Sequence, residues 1–159
     1  RHGYAVNAAQ NCMQRGNPEN VTSVLRRREK RPMYDYRSTL VKIIDGDTID
    51  VDLDLGFSVV LKKQRVRLYG INTPESRTRD LEEKRYGLAA KARLREMLEA
   101  ADSITVKTAI DKKARGKYGR ILGTIYIDDI NVNQVLVDEG YAIAYYGGKK
   151  NTTKWWKKD

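Results

Sequence analysis

Three short segments of this sequence concentrate residues able to do chemistry on a phosphate or to hold a hard cation. The first is Asp45-Gly46-Asp47-Thr48, set between two apolar runs. Two carboxylates flanking a glycine suit a cation bound through oxygen, and equally suit a plain Asp-Gly hairpin turn. The second runs from Arg65 to Glu75, Arg65-Val66-Arg67-Leu68-Tyr69-Gly70-Ile71-Asn72-Thr73-Pro74-Glu75. Strand alternation puts Arg65 and Arg67 on one side, away from Val66 and Leu68, ahead of a Gly and Pro loop carrying Asn72, Thr73 and Glu75. An arginine fork suits a phosphate, and a nearby carboxylate can take a proton from water. An edge strand with solvated arginines followed by a turn would read the same way. The third is Lys112-Lys113-Ala114-Arg115-Gly116-Lys117-Tyr118-Gly119-Arg120, whose two glycines and five cations fit a basic loop over an anionic ligand or a charged surface hairpin.

What is scarce narrows the chemistry further. The single cysteine, Cys12, rules out an internal disulfide and a thiolate zinc cluster. The single histidine, His2, lies far from all three segments, so a Ser-His-Asp triad or a histidine general base cannot be built around them. Hydrolysis here would have to run on carboxylates, arginines and a hard cation.

The elements that must position these residues follow from periodicity. Ile49, Val51, Leu53 and Leu55 alternate with Asp50, Asp52 and Asp54, which predicts a strand with one apolar and one acidic face. After Gly56, a second strand is expected over Phe57 to Tyr69. Residues 80–101 change to a helical period, with Tyr86, Ala90, Leu94, Met97, Leu98 and Ala101 in one stripe. Ser103 to Ile110 and Ile121 to Ile127 read as strands. Asn131, with Gln134 three residues on, opens a second helix in a capping-box arrangement that Gly140 ends. Three strands, a helix, two strands and a helix fit a mainly β fold with helices, the OB-fold, a five-stranded Greek-key barrel.

The 159 residues are enough for one domain, and no run approaches the ~18 apolar residues of a membrane span. The net charge of +10 is uneven. Residues 1–40 carry eight Lys/Arg against three Asp/Glu, and residues 149–159 carry five against one. Basic ends of this kind suit a polyanion, although solvated tails would look alike. Residues 1–33 are therefore expected to form a basic extension with one short helix capped by Asn20. Residues 34–148 are expected to form the domain, and residues 149–159 a basic aromatic tail. The first thirty residues show no apolar block of a signal peptide, which leaves secreted and cytoplasmic settings both open.

Asp-Gly-Asp-Thr, then Arg followed after five residues by Thr-Pro-Glu, then Lys-Tyr-Gly-Arg, in this order from about Tyr34 to Tyr146, resembles the staphylococcal nuclease (thermonuclease) family. Tyr86-Gly87 and the Asn131 to Gly140 stretch match as well. The resemblance implies an OB-fold, Ca²⁺-dependent endonuclease acting on DNA and RNA, with single strands preferred and 3′-phosphate ends produced. By the same resemblance Asp47 and the Thr73 carbonyl would bind the cation, and Asp45 would lie just outside. Glu75 would position or deprotonate the attacking water, and Arg67 and Arg120 would grip the scissile phosphate. Lys117, Tyr118 and Tyr145 would border the nucleotide. Asn72 stands where the family usually has a second metal-binding aspartate; its amide oxygen can ligate Ca²⁺ but brings no charge. A monomer is expected. Two rivals remain: a non-catalytic OB-fold module that binds nucleic acid, and a docking protein that uses its tails on a polyanionic assembly.

Overall fold

The computed structural model describes residues 34–108, 120–150 and 153–157. The expected Asn20 helix, the basic extension, and Lys117 and Tyr118 lie outside the described residues.

Five strands close into a barrel: β1 (Asp35–Asp45), β2 (Thr48–Asp54), β3 (Val60–Leu68), β5 (Ile104–Thr108) and β6 (Ile121–Ile127). Strands β3, β2, β1, β5 and β6 pair antiparallel in that order, and a parallel pairing of β3 with β6 closes the ring. This is the OB-fold, mainly β with helices. Three two-residue strands complete it, β4 (Ile71–Asn72), β7 (Ile130–Asn131) and β8 (Ile143–Ala144), with β4 paired to β8. Helix α1 spans Leu81–Glu99 and α2 spans Val132–Asp138.

Alternation fills the barrel. Ile49, Val51 and Leu53 of β2, Val66 and Leu68 of β3, Val106 of β5 and Ile125 of β6 point into one core. Leu94 and Leu98 of α1 join it, as do Val132 and Leu136 of α2. Burial of such side chains, at roughly 25 cal/mol per Å² of apolar area, is the main stabilising term. Within the expected helical stripe Ala90, Leu94 and Leu98 are buried, whereas Tyr86, Met97 and Ala101 are half-buried; Gly87, outside that stripe, is buried too.

Four expectations need correction. Strand β3 begins at Val60 rather than Phe57, because Phe57 and Ser58 both take positive φ (52° and 62°) in a two-residue turn closed by Val59 N–H donating to the Gly56 carbonyl. Helix α1 is two residues shorter than residues 80–101 at its far end and starts one later, because Asp80 is its N-cap, accepting from the Glu82 and Glu83 amides. Half of the capping box forms: Asn131 accepts from the Gln134 amide at 3.2 Å. The Gln134 side chain instead donates to Asp138 at 2.8 Å, one turn along the helix. Finally, the acidic face of β2 is not all solvated, since Asp50 is only 2% exposed.

One buried amide ties the barrel to the loop that follows β3. Asn133 Nδ2 donates to the Tyr69 carbonyl at 2.9 Å and its Oδ1 accepts from Ile125 N–H at 3.2 Å. Asn133→Ala strands a buried donor and a buried acceptor, so unfolding free energy in a denaturant titration should fall by about 2–4 kcal/mol. A change under about 0.5 kcal/mol would show that water replaces the amide without cost.

Candidate active site

The first two chemistry-bearing segments and Arg120, the described end of the third, approach one another because of how the barrel closes. Antiparallel pairing of β2 with β3 sets Thr48 opposite Arg67, which places the Asp45–Asp47 turn beside the end of β3. Parallel pairing sets Val66 and Arg67 opposite Ile121 and Leu122. Arg120, one residue before β6, thereby comes to the same end of the barrel. The β4–β8 ladder, with Tyr145 N–H donating to the Gly70 carbonyl at 2.8 Å, draws the chain after β8 to this end too.

The result is a cleft of about 1240 Å³. Asp45, Asp47, Arg67, Asn72, Glu75, Arg120 and Tyr145 all line it. Thr73 is buried beneath, 2% exposed. Of the expected site residues, only Lys117 and Tyr118 are not described.

Asp47 is a closely held carboxylate, 8% exposed. Its Oδ1 accepts from the Thr48 hydroxyl at 3.0 Å, and Oδ2 accepts from Thr73 N–H at 3.1 Å while lying 3.1 Å from Arg67 Nη2. Arg67 is itself mostly enclosed; it donates through Nη1 to the Leu68 carbonyl at 3.2 Å and through Nη2 to Asn72 Oδ1 at 3.4 Å. Asp45 accepts from Gly46 N–H at 3.0 Å and from Ser76 N–H at 3.3 Å. Burial pushes the Asp45 carboxyl above its ordinary value against these bonds, and the charges of Asp47 and Glu75 push the same way. Glu75 is exposed, its backbone N–H donating to Glu83 at 3.2 Å and its carboxylate accepting from Lys150 at 3.1 Å. That pair is half-exposed at both ends, so it holds the carboxylate only loosely.

Two oxygens beside Arg67 are of the kind a hard cation takes. Asp47 Oδ2 and Asn72 Oδ1 converge on one positive nitrogen, Arg67 Nη2, at 3.1 and 3.4 Å. Among the described residues no three His, Cys, Asp or Glu side chains form a metal-binding group. Amide and backbone oxygens would therefore have to complete a shell around Asp47.

The loops of the site rest on a platform that periodicity alone does not reveal. A Cβ on Gly87 of α1 would lie 2.6 Å from the Glu75 carbonyl carbon and oxygen and 2.7 Å from Ser76 N. A Cβ on Gly46 would lie 2.8 Å from the Ala90 Cβ and 2.9 Å from Thr73 Oγ1. Small residues one turn apart on α1 thus let the Asp45–Asp47 turn and the Glu75 loop approach together. The tail contributes as well: Lys154 pairs with Asp80 at 3.0 Å and Lys157 with Glu82 at 2.6 Å, so these two cations meet carboxylates at the start of α1.

The model of the staphylococcal nuclease homologue family matches residues 65–157. Thermonuclease of Staphylococcus intermedius is 36% identical over 120 residues, covering 74% of this chain and 66% of that protein. Micrococcal nuclease of Shigella flexneri is 33% identical over 127 residues, covering 72% and 62%. Endonuclease YhcR of Bacillus subtilis is 32% identical over 118 residues, covering 70% of this chain and 9% of that protein. The chain spans less than two thirds of the length of each of these relatives.

Proposed function

The chain belongs to the staphylococcal nuclease homologue family, and from that premise we propose that it is a Ca²⁺-dependent endonuclease acting as a monomer on DNA and RNA. Single strands are its preferred substrate and 3′-phosphate ends its product. The observation that carries this reading is the convergence of Arg67, Arg120, Glu75 and Asp47 on one cleft.

Each residue has a part that its chemistry allows. Glu75 projects into the cleft with an exposed carboxylate and takes a proton from the attacking water. Arg67 and Arg120 donate to the non-bridging oxygens of the phosphate, where negative charge grows as water attacks. Asp47, Asn72 and the Thr73 carbonyl would hold the cation, with Asp45 beside them. Bound there, Ca²⁺ would neutralise phosphate charge and polarise the P–O bond. Lys117, Tyr118 and Tyr145 contact the nucleotide around the scissile phosphate.

The test is incubation of end-labelled single-stranded DNA and RNA with the protein, with Ca²⁺ or with excess chelator, followed by analysis of product length and ends. Shortened products bearing 3′-phosphate, formed only with Ca²⁺, are expected. Binding without shortening would favour a non-catalytic OB-fold module, a reading that the missing charge at Asn72 allows. Undiminished cutting in chelator would overturn the calcium assignment.

Asn72 offers a second, independent check. An aspartate there would place a second formal charge on the oxygen that already faces the same positive nitrogen as Asp47. Asn72→Asp should therefore lower the Ca²⁺ concentration for half-maximal cleavage, on the order of tenfold. The cation-free protein should become no more stable, because the added charge repels Asp47 and Asp45. Calcium titrations of activity and of binding heat measure both. Equal affinity in the two forms would remove residue 72 from the cation site.

A further inference from the structure

The cations on β3 do not end at Arg67. Arg65 lies two residues before it on the same side of the strand, and both Arg65 and Lys63 line the cleft. Across the ladder, Asp50 stands directly opposite Arg65. Its buried carboxylate accepts from Arg65 Nε at 2.8 Å and from Nη2 at 3.0 Å. This side-on fork uses two of the five N–H donors of the guanidinium and leaves three for another acceptor. About half of the Arg65 side chain is exposed. Because Asp50 fixes the arginine, most of its rotamer freedom is lost on folding rather than on binding a ligand.

Lys63 reaches the same edge by a different device. Val51 pairs with Gln64 and Leu53 with Leu61, so β3 carries one extra residue across this step. The bulge puts Lys63 at φ 51°, a left-handed conformation that L residues adopt at a cost. Its N–H donates to Asp52 at 2.8 Å, and Lys62 satisfies the other oxygen of Asp52 at 3.1 Å. The Lys63 ammonium forms no salt bridge with a described residue. A bulge that turns a side chain toward a site is a recurrent use of that irregularity.

We propose that Arg65, held by Asp50, and Lys63 form a second phosphate subsite that takes a neighbouring backbone phosphate of the bound polynucleotide. It lies about 6.6 Å along β3 from Arg67 for Arg65, and it rests on the nuclease reading of the cleft. Asp50 acts as a positioning residue, through Arg65. The plain alternative is that Asp50 and Arg65 form a cross-strand pair that only stabilises the sheet.

The test compares an oligonucleotide of about eight residues, within the span an OB-fold covers, with a dinucleotide whose only phosphate is the scissile one. In Arg65→Ala and in Lys63→Ala the advantage of the longer substrate in kcat/KM should fall about tenfold. The slope of log binding constant against log salt should flatten by about 0.7 for each variant, the value for one contact to a single strand. Arg65→Lys should restore the slope and only part of the affinity, because the charge returns without the fork. Asp50→Asn should weaken oligonucleotide binding with the slope nearly kept.

Lys63→Ala leaves the Asp50–Arg65 pair intact, so it reads the subsite even if Arg65→Ala folds poorly. Equal losses on both substrates, or unchanged salt slopes in both alanine variants, would overturn the subsite. Failure of the unaltered protein to cut either substrate would instead remove the nuclease reading, while the salt slopes would still test the phosphate contacts.

Discussion

Arg67→Ala should lower kcat for single-stranded DNA by about 10²–10³, the usual effect of removing one fixed donor to a developing oxyanion. Arg120→Ala should fall in the same range. Arg67 has a structural part as well, because it pairs with Asp47 where both side chains are nearly enclosed, 12% and 11% exposed. Removing it leaves that carboxylate without its partner, so stability should also drop in the cation-free protein. The two effects separate cleanly. Saturating Ca²⁺ supplies positive charge to Asp47 and should recover much of the stability without recovering turnover. Arg67→Lys keeps the charge but loses the fork, and it should stay well below the unaltered enzyme in kcat. Near-normal turnover in Arg67→Ala, measured on folded protein under saturating substrate, would remove Arg67 from the phosphate clamp.

Gly87→Ala should lose turnover by on the order of 10²-fold although residue 87 lies in the first half of α1, outside the cleft lining. In an exposed helix the same change would stabilise by about 0.5–1 kcal/mol. Here the new methyl would sit 2.6 Å from the backbone of Glu75, and the atoms it meets are main chain rather than a flexible side-chain end. Overpacking of this kind costs about 1–3 kcal/mol and exceeds the helical gain. Relief requires the Glu75–Ser76 segment to move. That segment carries both the carboxylate proposed to act on water and the Ser76 N–H that holds Asp45. Thermal unfolding and steady-state kinetics of Gly87→Ala test the two halves together. Gly87→Ala with unchanged kcat would show that the loop can retreat without disturbing the site.

The sequence made some of this structure legible and hid other parts for physical reasons. Short contiguous signals were readable. Alternation along Ile49 to Leu53 and along Val66 to Leu68 marks the core faces of β2 and β3, and both sets are buried. The Asp45–Thr48 turn, the Arg65–Glu75 segment and Arg120 do share one barrel end, because the ladders that join them are set by the fold that the alternation specifies. What depends on register was not readable. Asp50 looks like a solvent-facing residue in an alternating strand, yet β3 sets Arg65 directly across from it and encloses it. The bulge at Lys63 shifts every pairing beyond it, and no residue type in that stretch announces an extra residue. Ala90 reads as an ordinary member of a helical stripe and Gly87 falls outside it; their smallness matters only because the Glu75 loop and the Asp45–Asp47 turn descend onto them. Asn133 reads as a polar residue one step inside a helix, and only the closed barrel shows that it bonds two distant backbone segments.

Single-turnover cleavage of end-labelled single-stranded DNA by the unaltered protein and by Glu75→Gln, purified side by side and assayed in saturating Ca²⁺, tests the role of Glu75. Gln keeps the size of Glu75 and removes the oxygen that can accept a proton. The cleavage rate should fall by about 10²–10⁴, the range for losing a general base, while substrate affinity and thermal stability stay close to those of the unaltered protein. The exposed Lys150 pair that Gln would weaken is worth too little to account for such a loss. Equal cleavage rates for the two proteins would show that this cleft does not hydrolyse the phosphodiester through Glu75.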